Sequence, residues 1–410
     1  MAEVRSSLSD SFVYGNKPVA APATKSRVHI YPENGSSGFL PGNTIRFVLP
    51  TGNRGEYLNS RQSYLKFKLQ NLDAASEMAS FKFDYSAHAI IRSLKVSASG
   101  GAGGGVLENI EEYNALVHAL FDVTGDKIQM ETTGTISEGF SREVDATDSR
   151  IFCIPLMSAI IGTNQQKYLP VGAMARTHLT LELTLGDLDK VQEGNRPWML
   201  KDVEYVAEMI HLDPTVDRAL VEANSGGIVI PYSTFSQHRW IAPNGSSSMS
   251  MAFSSPYKSL KTLIALFRKD ATDYSSIKYV SERKNVVGNT GRYQYTINGV
   301  LTPSKPVDSD AEAWAETQKA FHAYGSLEHM GIVTDGTWGL DEGKYLIATD
   351  LESQSHKSMF SQNGVDVSTS VSHLTVNFDT SLDASVTVDV FSHYDGFIVV
   401  GADGLVNVFY

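Results

Sequence analysis

Three carboxylates, a pair of histidines, one cysteine and a run of glycines are the residues that could carry chemistry. Asp84, Glu204 and Glu208 lie in or beside segments with strand patterning. Two carboxylates facing one another across a bound sugar could hydrolyse a glycosidic bond, but nothing in the sequence pairs these three, and they read as members of solvated strand faces. The eleven histidines contain no H-E-x-x-H pair, and a single cysteine cannot build a zinc cage. His178 and His373 occupy corresponding places in two similar segments (below), so a shared structural role accounts for both. Cys153 sits in Ile151-Phe152-Cys153-Ile154 and reads as a small buried hydrophobe. The run Gly100-Gly101-Ala102-Gly103-Gly104-Gly105 stands between a strand and a helix, where a phosphate loop would stand. It lacks the terminal Lys-Ser/Thr, and Val106 takes the place of the last glycine in G-x-G-x-x-G, so it reads as a turn. There is no G-x-S-x-G elbow. Asp308-Ser309-Asp310-Ala311-Glu312 is a charged helix start favoured by the helix dipole. No catalytic, cofactor-binding or metal-ligating residue is assigned, and no cofactor is expected.

The elements around these residues form two echoing halves. A turn and a strand open each half: Phe39-Leu40-Pro41-Gly42-Asn43 before Thr44–Leu49, and Ile241-Ala242-Pro243-Asn244-Gly245 before Ser246–Phe253. A second strand follows, Tyr64-Leu65-Lys66-Phe67-Lys68-Leu69 in one half and Leu260-Lys261-Thr262-Leu263-Ile264-Ala265-Leu266-Phe267 in the other. The first alternates, as a half-buried strand does. The second is apolar nearly throughout, as a strand covered on both faces is. A helix comes next in each. Over Glu108–Asp122 the residues Ile110, Tyr113, Val117, Leu120 and Phe121 share one helical face. Ser309 to Glu312 reads as a capping box, with Trp314, Gln318 and Phe321 recurring behind it. Thr177-His178-Leu179-Thr180-Leu181 and Ser372-His373-Leu374-Thr375-Val376 are matching late strands. Landmarks in one order at a nearly constant offset indicate a duplicated β-rich domain with a helix inserted at the same place in each copy.

Further strands are expected at Val203–Ile210, Ile228–Tyr232, Arg292–Ile297 and Val386–Phe391. A closing hairpin pairs Phe397–Val400 with Leu405–Phe409. The expected organisation is an N-terminal arm at 1–26, a first jelly roll at 27–213, a linker with a short helix at 214–227, and a second jelly roll at 228–410. The fold class is all-β: two tandem eight-stranded antiparallel jelly-roll β-sandwiches, each with a short inserted helix. The 410 residues suffice for two cores, with 42% hydrophobic and 20% charged residues. A formal net charge of −12 disfavours packing against nucleic acid. Met1–Tyr14 lacks the apolar core of a secretion signal, and the lone cysteine fits assembly in a reducing compartment.

Several stretches resemble one family, the double jelly-roll major capsid proteins of tailless icosahedral double-stranded DNA viruses. They are Gly55-Glu56-Tyr57-Leu58-Asn59 running into Tyr64–Phe67; Ser97–Gly105 leading to Leu107-Glu108-Asn109-Ile110 and Tyr113-Asn114-Ala115-Leu116; Lys258-Ser259-Leu260-Lys261 before Ile264–Arg268; and Tyr394-Asp395-Gly396 before the hairpin. The resemblance implies a non-enzymatic shell protein of the virion, assembled inside the host cell. It implies homotrimeric, pseudo-hexameric capsomers tiling an icosahedral capsid, and an N-terminal arm touching neighbours or an inner membrane. Its partners would be further copies of itself, neighbouring capsomers, and penton and minor capsid proteins. Trp240 and Trp314 are candidates for contacts between copies, or core aromatics. Two readings from other classes stay open. One is a cellular tandem β-sandwich of lectin-like, carbohydrate-binding type, and the other is a two-domain β-sandwich hydrolase.

Overall fold

The computed structural model describes residues 22–35, 38–73, 80–100, 105–126, 129–140, 142–192, 194–224, 227–271, 274, 278–288, 290–322, 343–353 and 362–410. Most of the expected arm, and the middle of the glycine run, lie outside them. Ala23, the first residue of the first strand, falls within the segment expected to be arm.

Two β-sandwiches follow one another along the chain. In the first, one sheet has the order β1 (Ala23–Ile30), β11 (Trp198–Leu212), β4 (Tyr64–Asn71) and β9 (Ser149–Ile154), with the short β3 (Glu56–Leu58) on β11. The facing sheet has the order β2 (Thr44–Leu49), β10 (His178–Leu185), β6 (Ile91–Ser99) and β7 (Gly105–Ile110). A ribbon of β5 (Phe81–Lys82) and β8 (Glu143–Val144) lies beside them, and helix α1 (Tyr113–Thr124) follows β7. Helix α2 (Pro214–Ala223), capped by the Asp213 side chain, leads to the second sandwich.

There, β12 (Ile228–Ala242), β19 (Val386–Val400), β14 (Leu260–Lys269) and β17 (Ile347–Asp350) form one sheet, with β20 (Val406–Phe409) on β19. The facing sheet is β13 (Ser248–Phe253), β18 (Ser372–Asn377), β15 (Arg292–Ile297) and β16 (Val300–Val307), and helix α3 (Asp310–Ala320) follows β16. Sheet order and chain order agree between the halves for eight strands and one helix each, while β3, β5, β8 and β20 are outside the correspondence. β1 corresponds to β12, β2 to β13, β4 to β14, β6 to β15, β7 to β16, α1 to α3, β9 to β17, β10 to β18 and β11 to β19. All the named ladders of these sheets are antiparallel.

Alternation explains the cores. Along β2, Ile45, Phe47 and Leu49 point inward and meet Phe67, Leu181 and Tyr205, all buried. In the second sandwich Met251, Phe267, Tyr293, Tyr295, Leu374 and Val390 do the same. The two opening turns also match. Gly42 (φ +77°) and Gly245 (φ +82°) each take the left-handed conformation that releases the chain into β2 or β13.

Two expectations need correction. The first helix begins at Tyr113, not Glu108, because residues 105–110 are held as β7 by the ladder to β6. The chain then breaks at Glu112, whose φ is +48°. Strands β11, β12 and β19 each run 15 residues, longer than expected. Polar residues such as Ser233, Gln237, Asp389 and His393 interrupt the apolar pattern there, and the structure uses them between the two sandwiches. The Ser309 half of the expected capping box forms at α3, its hydroxyl accepting the Glu312 N–H at 3.3 Å.

Candidate functional site

The densest polar chemistry lies between the sandwiches, where β7 and α1 of the first cover the outer face of the β12–β19–β14–β17 sheet of the second. At the edge, the Tyr232 hydroxyl donates to the Leu107 carbonyl (3.0 Å) and the Thr234 hydroxyl to Glu108 Oε1 (2.5 Å). Glu108 is fully buried and also accepts from the Ala159 N–H at 2.9 Å and from the Ser158 hydroxyl. Burial pushes its carboxyl up from the ordinary value against the pull of these donors.

Next to it is an ion cluster. Glu112 receives Arg239 Nη2 at 2.8 Å, Arg268 Nη2 at 3.2 Å and the Tyr279 hydroxyl at 2.8 Å. Asp389 accepts Arg239 Nε at 2.8 Å and Arg268 Nε at 3.0 Å. The Arg268 guanidinium also lies 4.3 Å from the centroid of the Tyr279 ring. Burial alone would raise the Asp389 carboxyl, but Arg268 and Arg239 beside it hold it below its ordinary value. Burial would likewise lower Arg268, and Asp389, Tyr279 and Glu112 outweigh it. A third contact joins α1 to the second sandwich: Asp122 pairs with Arg283, with Lys344 at 3.2 Å, and accepts from the Tyr85 hydroxyl at 2.8 Å. The ion pairs that cross the junction run one way, with the acids Glu112 and Asp122 from the first sandwich and the cations from the second, while Asp389 pairs within its own sandwich.

The C-terminal hairpin adds a clasp. Thr177 Oγ1 and the Arg176 N–H donate to the Gly404 carbonyl at 3.1 and 3.3 Å, and the Tyr410 hydroxyl donates to the Val106 carbonyl at 2.6 Å. A cavity of about 1200 Å³ remains between the sandwiches, lined among others by Val117, Phe121, Lys261, Glu352 and His393. His393 is stacked on Phe235, with ring centroids 4.5 Å apart, and burial pushes its imidazole down to about 3.

Asp84, Glu204 and Glu208 are not on solvated faces; all three are buried. Asp84 belongs to the junction, accepting the Val280 and Ser281 N–H groups at 2.6 and 3.2 Å and the Ser281 hydroxyl. Glu204 is held by Lys66 and by His29 at 2.8 Å, and Glu208 by Lys25 at 2.9 Å. Burial would raise Glu204, but Lys66 and His29 bring it below its ordinary value. Each carboxylate thus has its own partners, and none stands as half of an acid–base pair. His178 and His373 flank the buried Leu179 and Leu374 on equivalent strands and point away from the core. Cys153 is only partly buried, and burial raises its thiol. Trp240 is 46% exposed on β12, whereas Trp314 packs partly against the core. Among the described residues no group of three or more His, Cys, Asp or Glu could hold a metal ion, and no helix is long and apolar enough to cross a membrane.

The residues of the ion cluster were not singled out by sequence. A signal was present: Arg268 closes the apolar run Leu263–Phe267, and Asp389 interrupts Val386–Phe391. A charge inside a strand that is otherwise apolar needs a buried partner.

Two tandem sandwiches of this topology, each with a helix after its β7 or β16 strand, constitute the double jelly-roll fold. Solved structures share it over nearly the whole chain. The PBCV-1 virus capsid superposes with a TM-score of 0.67 at 9% identity, covering 97% of this chain and 99% of that one. The Faustovirus major capsid protein gives 0.68 at 6% identity, covering 97% and 94%. The mavirus major capsid protein gives 0.55 at 10% identity, covering 99% and 94%. No family model and no curated protein matches the chain by sequence.

Proposed function

We propose that this chain is the major capsid protein of an icosahedral DNA virus, a non-enzymatic subunit whose homotrimers are pseudo-hexameric capsomers. The observation that carries the reading is the two-way coverage. The match covers 97% of this chain and 94 to 99% of the others, so the two-sandwich architecture extends over nearly all of each matched chain. The junction supports it. A subunit that contributes two of six positions in a hexagonal tile needs its two sandwiches held at one angle, and the buried ion cluster and hairpin clasp do that. Neighbouring capsomers, penton and minor capsid proteins, and an inner membrane touched by the N-terminal arm complete the proposed partners, with the virion as the site of action. The arm at 1–26, the rolls at 27–213 and 228–410 and the linker at 214–227 are the proposed units.

Light scattering of the purified full-length chain tests this reading. Three chains of 44.8 kDa give about 134 kDa. A single chain at every concentration would overturn the capsomer and turn attention to glycan binding.

A further inference from the structure

Lys261 sits where β14 is irregular. The register of β14 against β19 shifts between Leu260 and Thr262, so that Lys261 and Thr262, consecutive in the chain, both line the cavity between the sandwiches. A bulge of this kind re-aims a side chain. Here it aims an amine at two carboxylates. Lys261 Nζ lies 2.9 Å from Glu352 Oε1, just past the end of β17, and 3.8 Å from Asp395 Oδ1 on β19. The three side chains are 18%, 4% and 7% exposed, and Phe121, Phe235 and Ile264 line the same cavity.

One carboxylate is enough to neutralise Lys261; the second, and the groups around it, need another account. Glu352 gives one oxygen to Lys261 and the other to His322, whose Nε2 is 3.1 Å away. Asp395 is held by hydrogen-bond donors instead. Its Oδ2 accepts the Gln362 N–H at 3.0 Å and the Ser259 hydroxyl at 2.9 Å. Its Oδ1, the oxygen on the lysine side, accepts the Ser233 hydroxyl. Two donors on one carboxyl oxygen stabilise the negative charge that develops there when the carbon is attacked. A hydroxyl on the other oxygen is placed to assist its departure.

We propose that Lys261 and Asp395 join through an amide bond, a covalent tie between the neighbouring strands β14 and β19 that the folded chain makes by itself. Glu352 takes a proton from the ammonium, and the free amine attacks Asp395 Cγ. The Nζ–Cγ bond forms while charge collects on Oδ2, between Gln362 and Ser259. The Cγ–Oδ1 bond then breaks. Oδ1 leaves as water with the two protons that Nζ gives up, one of them returned by Glu352. An ammonium and a carboxylate become an amide and water, so atoms and charge balance with no oxidant, nucleotide or cofactor. Folding supplies the rate, because a well-oriented intramolecular pair reacts as if at about 10⁵–10⁸ M. The apolar wall adds to it by withdrawing the water that favours the charged pair. The tie lies within one chain and does not depend on how copies assemble.

Mass spectrometry of the purified full-length chain tests it. Trypsin cleaves after a free lysine and passes over an acylated one. A digest of the denatured chain should therefore contain a branched peptide that carries Lys261 and Asp395 and weighs one water less than its two arms. In Glu352→Gln the branched peptide should fall to a minor fraction. Glu352→Asp should restore part of it, which separates loss of the proton carrier from loss of the fold. Lys261→Arg keeps the charge and should give linear peptides alone. Linear peptides of full mass from the parent, with Lys261 cleaved, overturn the proposal whatever the variants do. A branch undiminished in Glu352→Gln overturns the proton transfer assigned to Glu352. A branch that ends on Asn363, which lines the same cavity, with loss of ammonia overturns the choice of Asp395.

Discussion

Removing Arg268 is the sharpest test of the junction. Its side chain is 2% exposed and is shared between Asp389 of its own sandwich and Glu112 of the other. In Arg268→Met the apolar stem is kept and the charge is lost. Asp389, fully buried, is left with Arg239 as its one charged partner beside the Gln237 amide, and Glu112 with Arg239 and Tyr279. Breaking a buried ion pair from one side typically destabilises by about 3–5 kcal/mol. For a unit of roughly 200 residues, each kcal/mol moves the melting temperature by about 2–4 °C, so a fall of about 6–20 °C is expected. Scanning calorimetry of the purified chain reads it. The double variant Arg268→Met/Asp389→Leu removes both halves of the pair, and it is expected to recover most of the loss, since a buried pair contributes little over an apolar replacement. A single variant within about 2 °C of the parent, or a double variant in which the two losses add, would refute the account of the cluster as a mutually dependent buried pair.

Three further outcomes follow from individual sites. His118 is buried against Ser86, and burial, aided by His88, holds its imidazole well below its ordinary 6.5. The unfolded chain takes up a proton there as pH falls below 6.5 while the folded chain does not, so stability present at neutral pH is lost toward acid. From pH 7 to 5 the unfolded value of 6.5 limits that loss to at most about 2 kcal/mol, and the loss measured by denaturant titration should shrink in His118→Gln; an unchanged slope contradicts it. Gly404 has φ +78°, and a Cβ there would meet the Ala175 and Arg176 nitrogens at 2.9 and 3.2 Å. Gly404→Ala should therefore destabilise by about 1–3 kcal/mol and speed amide exchange at Arg176, while exchange as slow as in the parent would show that the clasp tolerates it. Ser309→Ala removes the α3 cap and should lower stability by about 1 kcal/mol, an effect Ser309→Asp should largely restore.

Most of the fold was legible in the sequence because its signals are local. Alternation marks β4, the Pro41-Gly42 and Pro243–Gly245 turns mark the starts of β2 and β13, and the capping box marks α3. The repeat turned these into an architecture, since two weak copies of one pattern support each other. The errors share a physical origin. The helical spacing of Ile110, Tyr113 and Val117 continues across the break at Glu112, so it extends the expected helix back to Glu108. Pattern reading treats a polar residue as exposed, so it ends β12 at Tyr232, splits β19 between Phe391 and Phe397, and places Asp84, Glu204 and Glu208 in solvent. Here the second sandwich supplies the partners of Asp84, and β1 and β4 supply those of Glu204 and Glu208. Such contacts join residues far apart in the chain, and no local window contains them. The contrast between the alternating β4 and the uninterrupted β14 is written in the sequence, but its cause, the cover that the first sandwich gives the second, lies outside any local window.

Negative-stain imaging of the assembled peak tests the central claim most directly. Each chain holds two sandwiches of one topology at a fixed angle, so a three-chain particle viewed down its axis should show six lobes in a near-hexagonal outline. A particle of three lobes, or an open chain of paired lobes, would contradict it.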